Sequence, residues 1–275
     1  MRSELTEPSV RSALRSKWIG RSYQYLERAG STNDLLKKQV KAGGVNHPAA
    51  GAVLLTDFQE QGRGRLDRSW EAPAYSSLLF SVLFRPDWPA NRLSWLTMLA
   101  GLAVVEAIEK ETGLPLLLKW PNDVVIKQDG IWHKVCGILL EGSVSAAQRL
   151  EYAVLGTGVN VNIPLEQLPP TVHPASSLMV ALGQRVSRLS LFAELLKQLE
   201  RCYEAADRGE SPHQLWNEHL ITVGGHVDVG RVGQATLLSG IAEGTDEWGQ
   251  LLVRDDDGQL HTIAAADVTL RGILS

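Results

Sequence analysis

The chain has little of what would assign it to a specialised class at once. Only two cysteines, Cys136 and Cys202, stand in 275 residues, and their separation suits neither a disulfide framework nor a zinc-ligand pair. Reduced thiols and a cytoplasmic location are expected. Basic charge is not in excess: 27 Lys and Arg against 31 Asp and Glu leave a formal net charge of −4, which argues against a non-specific nucleic-acid binder. No long apolar run exists. The most apolar stretch, residues 93–108, is broken by Ser94 and Thr97 and followed by charges, so it predicts a buried helix and no membrane span. The start, Met1-Arg2-Ser3-Glu4, has no apolar core and does not read as a signal peptide. Internal repeats and low-complexity tracts are missing too. What is there is an ordinary globular composition, long enough for one large domain with a small one attached.

Periodicity and punctuation predict an α+β chain. Val10, Leu14 and Trp18 predict a short helix over 8–19, and residues 21–26 a strand. Ser31 with Asp34 three residues on marks a helix start, with a stop after Ala42 at Gly43-Gly44. Strands are expected over 51–57 and 76–84, then a helix from an Asn91 cap to Thr112, closed by Gly113. Residues 114–119, 124–126 and 131–141 read as strands, the last two joined by a turn at Gln128-Asp129-Gly130. Another strand is expected over 150–162, then an amphipathic helix capped by Ser190 and ending at Gly209, then a short helix around Trp216. After Gly224-Gly225 the pattern changes to short alternating strands at 226–229, 234–241, 250–253, 260–263 and 268–270. Turns at Glu243-Gly244, Trp248-Gly249 and Asp257-Gly258 part them. A small barrel is expected there, with a domain boundary near residue 223, giving units 1–223 and 224–275.

The chain is organised around Gln59-Glu60-Gln61-Gly62-Arg63-Gly64-Arg65-Leu66-Asp67-Arg68-Ser69-Trp70, which follows a strand. Glycine lets the backbone approach a ligand closely, and arginine brings a permanent charge on a planar fork that fits phosphate or carboxylate. Without a Gly-Lys-Ser/Thr ending it is not a P-loop. Taken alone, it fits a plain solvated loop as well as one ordered by an anion. Lys119-Trp120-Pro121-Asn122-Asp123 places a cation, a ring, an amide and a carboxylate at a strand end, with Pro121 fixing the turn. Three roles are open to Asp123: orienting Lys119, holding Mg2+ through water, or acting as a base. An Asn-Asp pair after proline is also ordinary turn chemistry.

Lys134 precedes the apolar run Val135-Cys136-Gly137-Ile138-Leu139-Leu140. If buried it needs a partner: Glu141, another acid or a ligand anion. If it lies on an edge strand, snorkelling suffices. Gly156-Thr157-Gly158-Val159-Asn160 lacks the third glycine of a dinucleotide fingerprint, but its glycines would let a ligand lie against the strand. Ser31, Thr32 and Asn33 either cap their helix or sit where its free N–H groups meet a ligand.

In this order and spacing, these stretches make the chain resemble biotin protein ligases over roughly residues 22–275. The carriers are Ser31-Thr32-Asn33, the Gln59 to Trp70 loop, Lys119-Trp120-Pro121-Asn122-Asp123, the Lys134 to Glu141 strand and Gly156 to Asn160. Lipoate ligases share the general fold, but their Arg-Arg and Gly-Gly-Gly signature is absent. The resemblance implies an α+β fold: a mixed-sheet catalytic domain with helices and a C-terminal SH3-like β-barrel. It implies an ATP-dependent ligase that activates biotin as biotinyl-5′-AMP and passes it to a lysine of a biotin carboxyl carrier protein of acetyl-CoA carboxylase.

By the same resemblance, Ser31, Thr32, Asn33, Gln59, Gly62, Arg63, Lys134 and Gly137 hold biotin. Arg65, Arg68, Trp70, Lys119, Asn122 and Asn160 meet the nucleotide, with Trp70 against adenine. Arg63, Lys119, Asp123 and Lys134 carry the chemistry. Mg2+ enters with ATP, and Asp123 is the candidate metal ligand. The small barrel completes the ATP side, Arg271 is a candidate to reach the site, and edge strands allow a homodimer. The run Leu66-Asp67-Arg68 is less basic than in some relatives. With 30 residues ahead of Ser31, a winged-helix DNA-binding domain is not expected, so no DNA and no membrane partner is foreseen. The competing readings are a biotin-sensing regulator without turnover and a lipoate or octanoate ligase.

Overall fold

The computed structural model describes residues 3–43, 47–66, 68–169, 174–230, 236–264 and 266–270. Asp67, Gln234 and Arg271 lie outside them, so the expectations placed on those residues have no structural counterpart here. The elements run α1 (Glu7–Ala13), β1 (Tyr23–Ala29), α2 (Thr32–Ala42), β2 (Val53–Gln59), β3 (Leu78–Phe84), α3 (Trp95–Thr112), β4 (Leu116–Lys119), β5 (Asp123–Gln128), β6 (Ile131–Val144) and β7 (Leu150–Val159). Then come α4 (Leu178–Leu182), α5 (Arg188–Asp207), α6 (His213–His219), β8 (His226–Gly230), β9 (Leu238–Thr245), β10 (Leu251–Arg254), β11 (Leu260–Ile263) and β12 (Asp267–Leu270).

The first seven strands form one mixed sheet in the order β1-β2-β3-β7-β6-β5-β4. β1 runs parallel to β2, and the other pairings are antiparallel. Side chains alternate between the two faces of a strand, so every second residue shares a fate. On β3, Leu78, Phe80, Val82 and Phe84 enter the main core, together with Ala153, Leu155 and Val159 of β7 and Cys136 and Ile138 of β6. That face is covered by α3, buried on nearly all sides, and by the apolar side of α5. The opposite face carries a smaller cluster, Leu36 and Val40 of α2 with Leu83 and Val154. Beyond that cluster this face carries Ser81, Gly137, Gly156 and Gly158. These residues have too little side chain to fill it, and a cavity opens there.

The last five strands form an antiparallel sheet in the order β11-β10-β9-β8-β12. The pairings among the described residues leave it open, with β11 and β12 at its edges. The main core continues into it through Val227, Leu251 and Val253.

Several expected boundaries shift, each for a local reason. The first helix stops at Ala13 instead of residue 19. The backbone N–H groups of Lys17, Trp18 and Ile19 donate to the Glu200 carboxylate at 2.6, 2.7 and 3.0 Å, which removes the donors a continuing helix would use. Asn91 does not cap α3. It lies in a 3-10 turn over Ala90–Arg92, and α3 begins at Trp95. Ser187, not Ser190, caps α5: its hydroxyl accepts the Ser190 N–H at 3.2 Å. Glu243-Gly244 is not a turn but part of β9. The β9–β10 reversal lies at Asp246–Gly249, where the Asp246 carboxylate accepts the N–H groups of Trp248 and Gln250 and so takes the place of a backbone turn acceptor.

Candidate active site

One cavity of about 620 Å³ gathers the five stretches singled out in the sequence. That is within the range of about 300–1,000 Å³ typical of small-molecule sites. Its walls include Ser31, Thr32, Asn33, Gln59, Arg63, Arg65, Arg68, Trp70, Lys119, Asn122, Asp123, Lys134, Gly137 and Asn160. Every predicted site residue except Gly62 therefore borders one space. Val268 of the C-terminal sheet borders it too.

The polar end is built on the start of α2. Ser31 is the N-cap, its hydroxyl accepting the Asp34 N–H at 3.5 Å. Gln59 Oε1 accepts both the backbone N–H of Thr32 (2.9 Å) and its hydroxyl (3.2 Å). Ser81 Oγ lies 2.7 Å from Thr32 Oγ1 and 2.6 Å from Asn33 Oδ1. The Asn33 amide donates to the Leu139 carbonyl (3.2 Å) and to the Glu141 carboxylate (2.8 Å). Asn33 therefore does more than continue a cap: it ties α2 to β3 and β6 across a buried patch.

The Gly/Arg loop folds back on itself. Arg63 and Ser69 form an isolated antiparallel bridge, Gly64 N donates to the Arg68 carbonyl at 2.7 Å, and Trp70 N donates to the Gly62 carbonyl at 2.9 Å. Gly62 works through close approach, since a Cβ there would meet the Trp70 carbonyl oxygen at 2.2 Å. The loop sets Trp70 onto the bare part of the sheet. A Cβ on Gly137 or Gly158, which pair across β6 and β7, would strike the indole at 2.7 or 2.6 Å. A Cβ on Gly156 would strike Asn33 Oδ1 at 2.4 Å. These glycines hollow the sheet face so that Trp70 and Asn33 can sit against it.

Lys134 lies beside this ring, its Nζ 5.4 Å from the Trp70 centroid and 2.7 Å from Asp123 Oδ1. Of the partners open to Lys134, the structure selects another acid, Asp123 on the neighbouring strand, and not Glu141. Glu141 instead takes Lys37 Nζ at 2.5 Å and Arg63 Nη2 at 2.8 Å. Burial pushes the Glu141 carboxyl up, but hydrogen bonds from Lys37, Asn33 and Arg63 outweigh it and hold its pKa below the usual range. Lys119 is buried and faces Asp123 across the β4–β5 pairing. Between them, Asn122 donates to the Ile138 carbonyl at 2.6 Å and accepts from Arg65 at 3.4 Å. Trp120 turns away into the core, and its indole N–H donates to the Gly249 carbonyl of the C-terminal sheet at 2.8 Å. The Trp120–Pro121 peptide is cis.

On the cavity wall, Trp70 Nε1 and Asn160 Oδ1 are buried polar atoms that lack a hydrogen-bonding partner among the described residues, and buried Asp123 Oδ1 has the Lys134 ion pair but no aligned hydrogen bond. Asn160 donates to the Ser176 carbonyl at 3.0 Å, so its orientation is set and its oxygen remains available. Sequence reasoning missed Ser81 and the contact of Glu141 with the Gly/Arg loop. Ser81 had a signal, a lone hydroxyl in the apolar run Leu78-Leu79-Phe80-Ser81-Val82-Leu83-Phe84.

Residues 25–160 match the model of the biotin/lipoate A/B protein ligase family. The chain is 32% identical over 279 residues to a biotin–[acetyl-CoA-carboxylase] ligase of Mycobacterium tuberculosis, covering 97% of each chain. It is 30% identical over 270 residues to the bifunctional ligase/repressor BirA of Bacillus spizizenii, covering 97% of this chain and 79% of that protein. Among solved structures, the biotin protein ligase of Aquifex aeolicus in complex with biotin and ATP superposes with a TM-score of 0.70. That match has 28% identity over 91% of this chain and 99% of that one.

Proposed function

The chain belongs to the biotin protein ligase family and is a biotin ligase, and on that premise we propose how its cavity performs the reaction. With biotin and ATP both bound, the biotin carboxylate attacks the α-phosphorus. A carboxylate–phosphorus bond forms, the bond to the leaving pyrophosphate breaks, and biotinyl-5′-AMP results. The amine of a lysine on a biotin carboxyl carrier protein then attacks the acyl carbon. The new amide bond displaces AMP, and the amine gives up its proton. The observation that carries this reading is the convergence of Thr32, Gln59, Arg63, Trp70, Asp123 and Lys134 on one cavity.

The first step sets two anions against each other, so cations fixed before the reaction lower its barrier most. Lys134, oriented by Asp123, and Arg65, held near Asn122, are suited to meet the carboxylate and the α-phosphate. Lys119 is suited to the phosphates. The α2 start with Ser31, Thr32 and Gln59 offers a set of donors and acceptors for the ureido ring of biotin. Trp70 forms the wall between the two substrates, and Asn160 takes the nucleotide base. Folding the loop over both would exclude water and protect the adenylate from hydrolysis.

Mg2+ arrives as part of the substrate, on the triphosphate. No cluster of three or more potential metal ligands occurs among the described residues, and Asp123 already holds an ammonium group. A nucleotide-borne ion with few protein ligands fits that setting. Asp123 is then the group that orients Lys134 and, in the second step, the incoming lysine.

We infer two units, 1–223 and 224–275, with the C-terminal sheet curling into an SH3-like barrel that closes the nucleotide side through Val268. The N-terminal segment is packed against α5 through Glu200 and buries Leu5 and Val10. No helix among the described residues is long and apolar enough to cross a membrane.

The test is mass spectrometry of a purified biotin carboxyl carrier domain after incubation with the protein, biotin and MgATP. One added biotinyl group is expected, and none with ATP omitted. An unmodified carrier, or modification by octanoate or lipoate in preference to biotin, would overturn the reading.

A further inference from the structure

The Gly/Arg loop is fixed to the sheet at two points. At its far end, Trp70 sits on Gly137. Near its start, Arg63 Nη2 is gripped by Asp34 Oδ1 at 2.7 Å and Glu141 Oε2 at 2.8 Å. Gly137 and Glu141 are four residues apart on β6 and on the same face, so the anchors are about 13 Å apart along the strand at roughly 3.3 Å per residue. The Arg63–Ser69 bridge joins the two arms of the loop between them.

Glu141 is also the end of a second chain of contacts. Asn33 donates to the same Oε2 that holds Arg63. Asn33 Oδ1 meets Ser81, Ser81 meets Thr32, and Thr32 donates to Gln59. Lys37 secures the other carboxylate oxygen.

We propose that Glu141 is a positioning residue that latches the Gly/Arg loop over the cavity through Arg63, and that Asn33 and Ser81 tie this latch to Thr32 and Gln59 at the other end of the site. The latch rests on the ligase reading above. It separates the work of the arginines. Arg63, with two carboxylates on one terminal nitrogen, closes the loop, while Arg65 and Lys134 meet the reacting anions. Asp34 and Lys37 keep the latch neutral in sum. Glu141 and Asp34 supply two negative charges, and Lys37 and Arg63 supply two positive ones.

The experiment is a double-mutant cycle on adenylate retention in the full chain. Protein incubated with biotin and MgATP is freed of small molecules, and the half-life of bound biotinyl-5′-AMP is followed. Glu141→Gln keeps an acceptor for Asn33 and removes the charge. Its half-life should fall about five- to twentyfold, the range between a partly exposed ion pair and a charge-assisted hydrogen bond. Arg63→Ala should fall at least as far, and the double variant no further than Arg63→Ala alone. A merely structural Glu141 would lower the thermal midpoint and multiply with Arg63→Ala. Multiplying losses, or an unchanged half-life in Glu141→Gln, would overturn the latch. Should Glu141→Gln fail to fold, Arg63→Ala at the half-exposed end of the latch decides alone, and an unchanged half-life there overturns the latch equally. A wild-type protein that forms no adenylate would overturn the ligase reading and the latch with it. A wild-type protein that forms adenylate but retains it no longer than Glu141→Gln does would overturn the latch alone.

Discussion

Lys134 and Asp123 stand 2.7 Å apart on adjacent strands, with the Trp70 ring beside the lysine. This pair lies where the strand of the Lys-Trp-Pro-Asn-Asp turn meets the floor under Trp70, so its two members should affect the two half-reactions differently. On the proposed mechanism Lys134→Gln removes a fixed cation from the forming anhydride, and pyrophosphate release should slow about a hundredfold, as for other lost electrostatic stabilisers. Asp123→Asn should slow transfer from preformed adenylate to the carrier more than it slows adenylate formation. Single-turnover assays of each step read both. Full transfer by Asp123→Asn would remove its role toward the incoming lysine.

Gly158 should tolerate no side chain without cost to substrate binding. In Gly158→Ala the new methyl would lie 2.6 Å from the Trp70 ring, and the loop, not the strand, is the part able to yield. We expect KM for biotin or ATP to rise by about tenfold or more, in line with overpacking costs of about 1–3 kcal/mol. The thermal midpoint should stay close to wild type, and tryptophan emission should report the displaced ring. Unchanged KM values would mean that Trp70 is not seated on this floor during turnover.

Asn160 presents a buried carbonyl oxygen with no partner among the described residues. A buried acceptor without a donor is costly, so a base offering an amine is preferred there to one offering a carbonyl. At the 6-position of the purine, adenine offers the amine and guanine the carbonyl. Asn160→Leu should raise KM for ATP about ten- to a hundredfold and narrow the preference for ATP over GTP, the scale of one lost hydrogen bond in a closed site. Pyrophosphate release with each nucleotide measures it.

Stability depends on a different pair. Arg188 and Asp57 are both buried and 2.6 Å apart, and Asp57 also accepts the Tyr25 hydroxyl at 2.6 Å. Removing one partner leaves a buried charge unpaired, at about 3–5 kcal/mol. Arg188→Ala should therefore lower the urea midpoint sharply. Replacing both partners by apolar residues should recover part of the loss, because the desolvation cost disappears with the charges.

Most of the sheet was legible because its strands alternate or run apolar over more than one turn of pattern, as in Leu78–Phe84. The motif stretches were legible because glycine, arginine and proline restrict the backbone in ways that survive context. Helix starts were less so: Ser187 and Ser190 are chemically equal candidates, and only the packing of α5 selects between them. Which acid partners a given charged residue was not legible. Glu141 follows Lys134 in the same strand, yet seven residues set the two about 23 Å apart along it at roughly 3.3 Å per residue. The register shift opposite Val124 and Val125 leaves Val135 without a pairing partner, and it brings Lys134 within reach of Asp123 instead. The early end of α1 depends on Glu200, more than 180 residues away, and no local pattern carries that distance.

The indole of Trp120 reaches out of the reactive turn and donates to the Gly249 carbonyl, while its backbone N–H donates to Thr222. Lys119 and Asn122, the cavity-lining residues on either side of it, are thereby moored to the last fifty or so residues of the chain. Prying the C-terminal sheet loose would cast off this stretch of the cavity wall, so damage far along the sequence should read out as lost catalysis before it reads out as an unfolded protein.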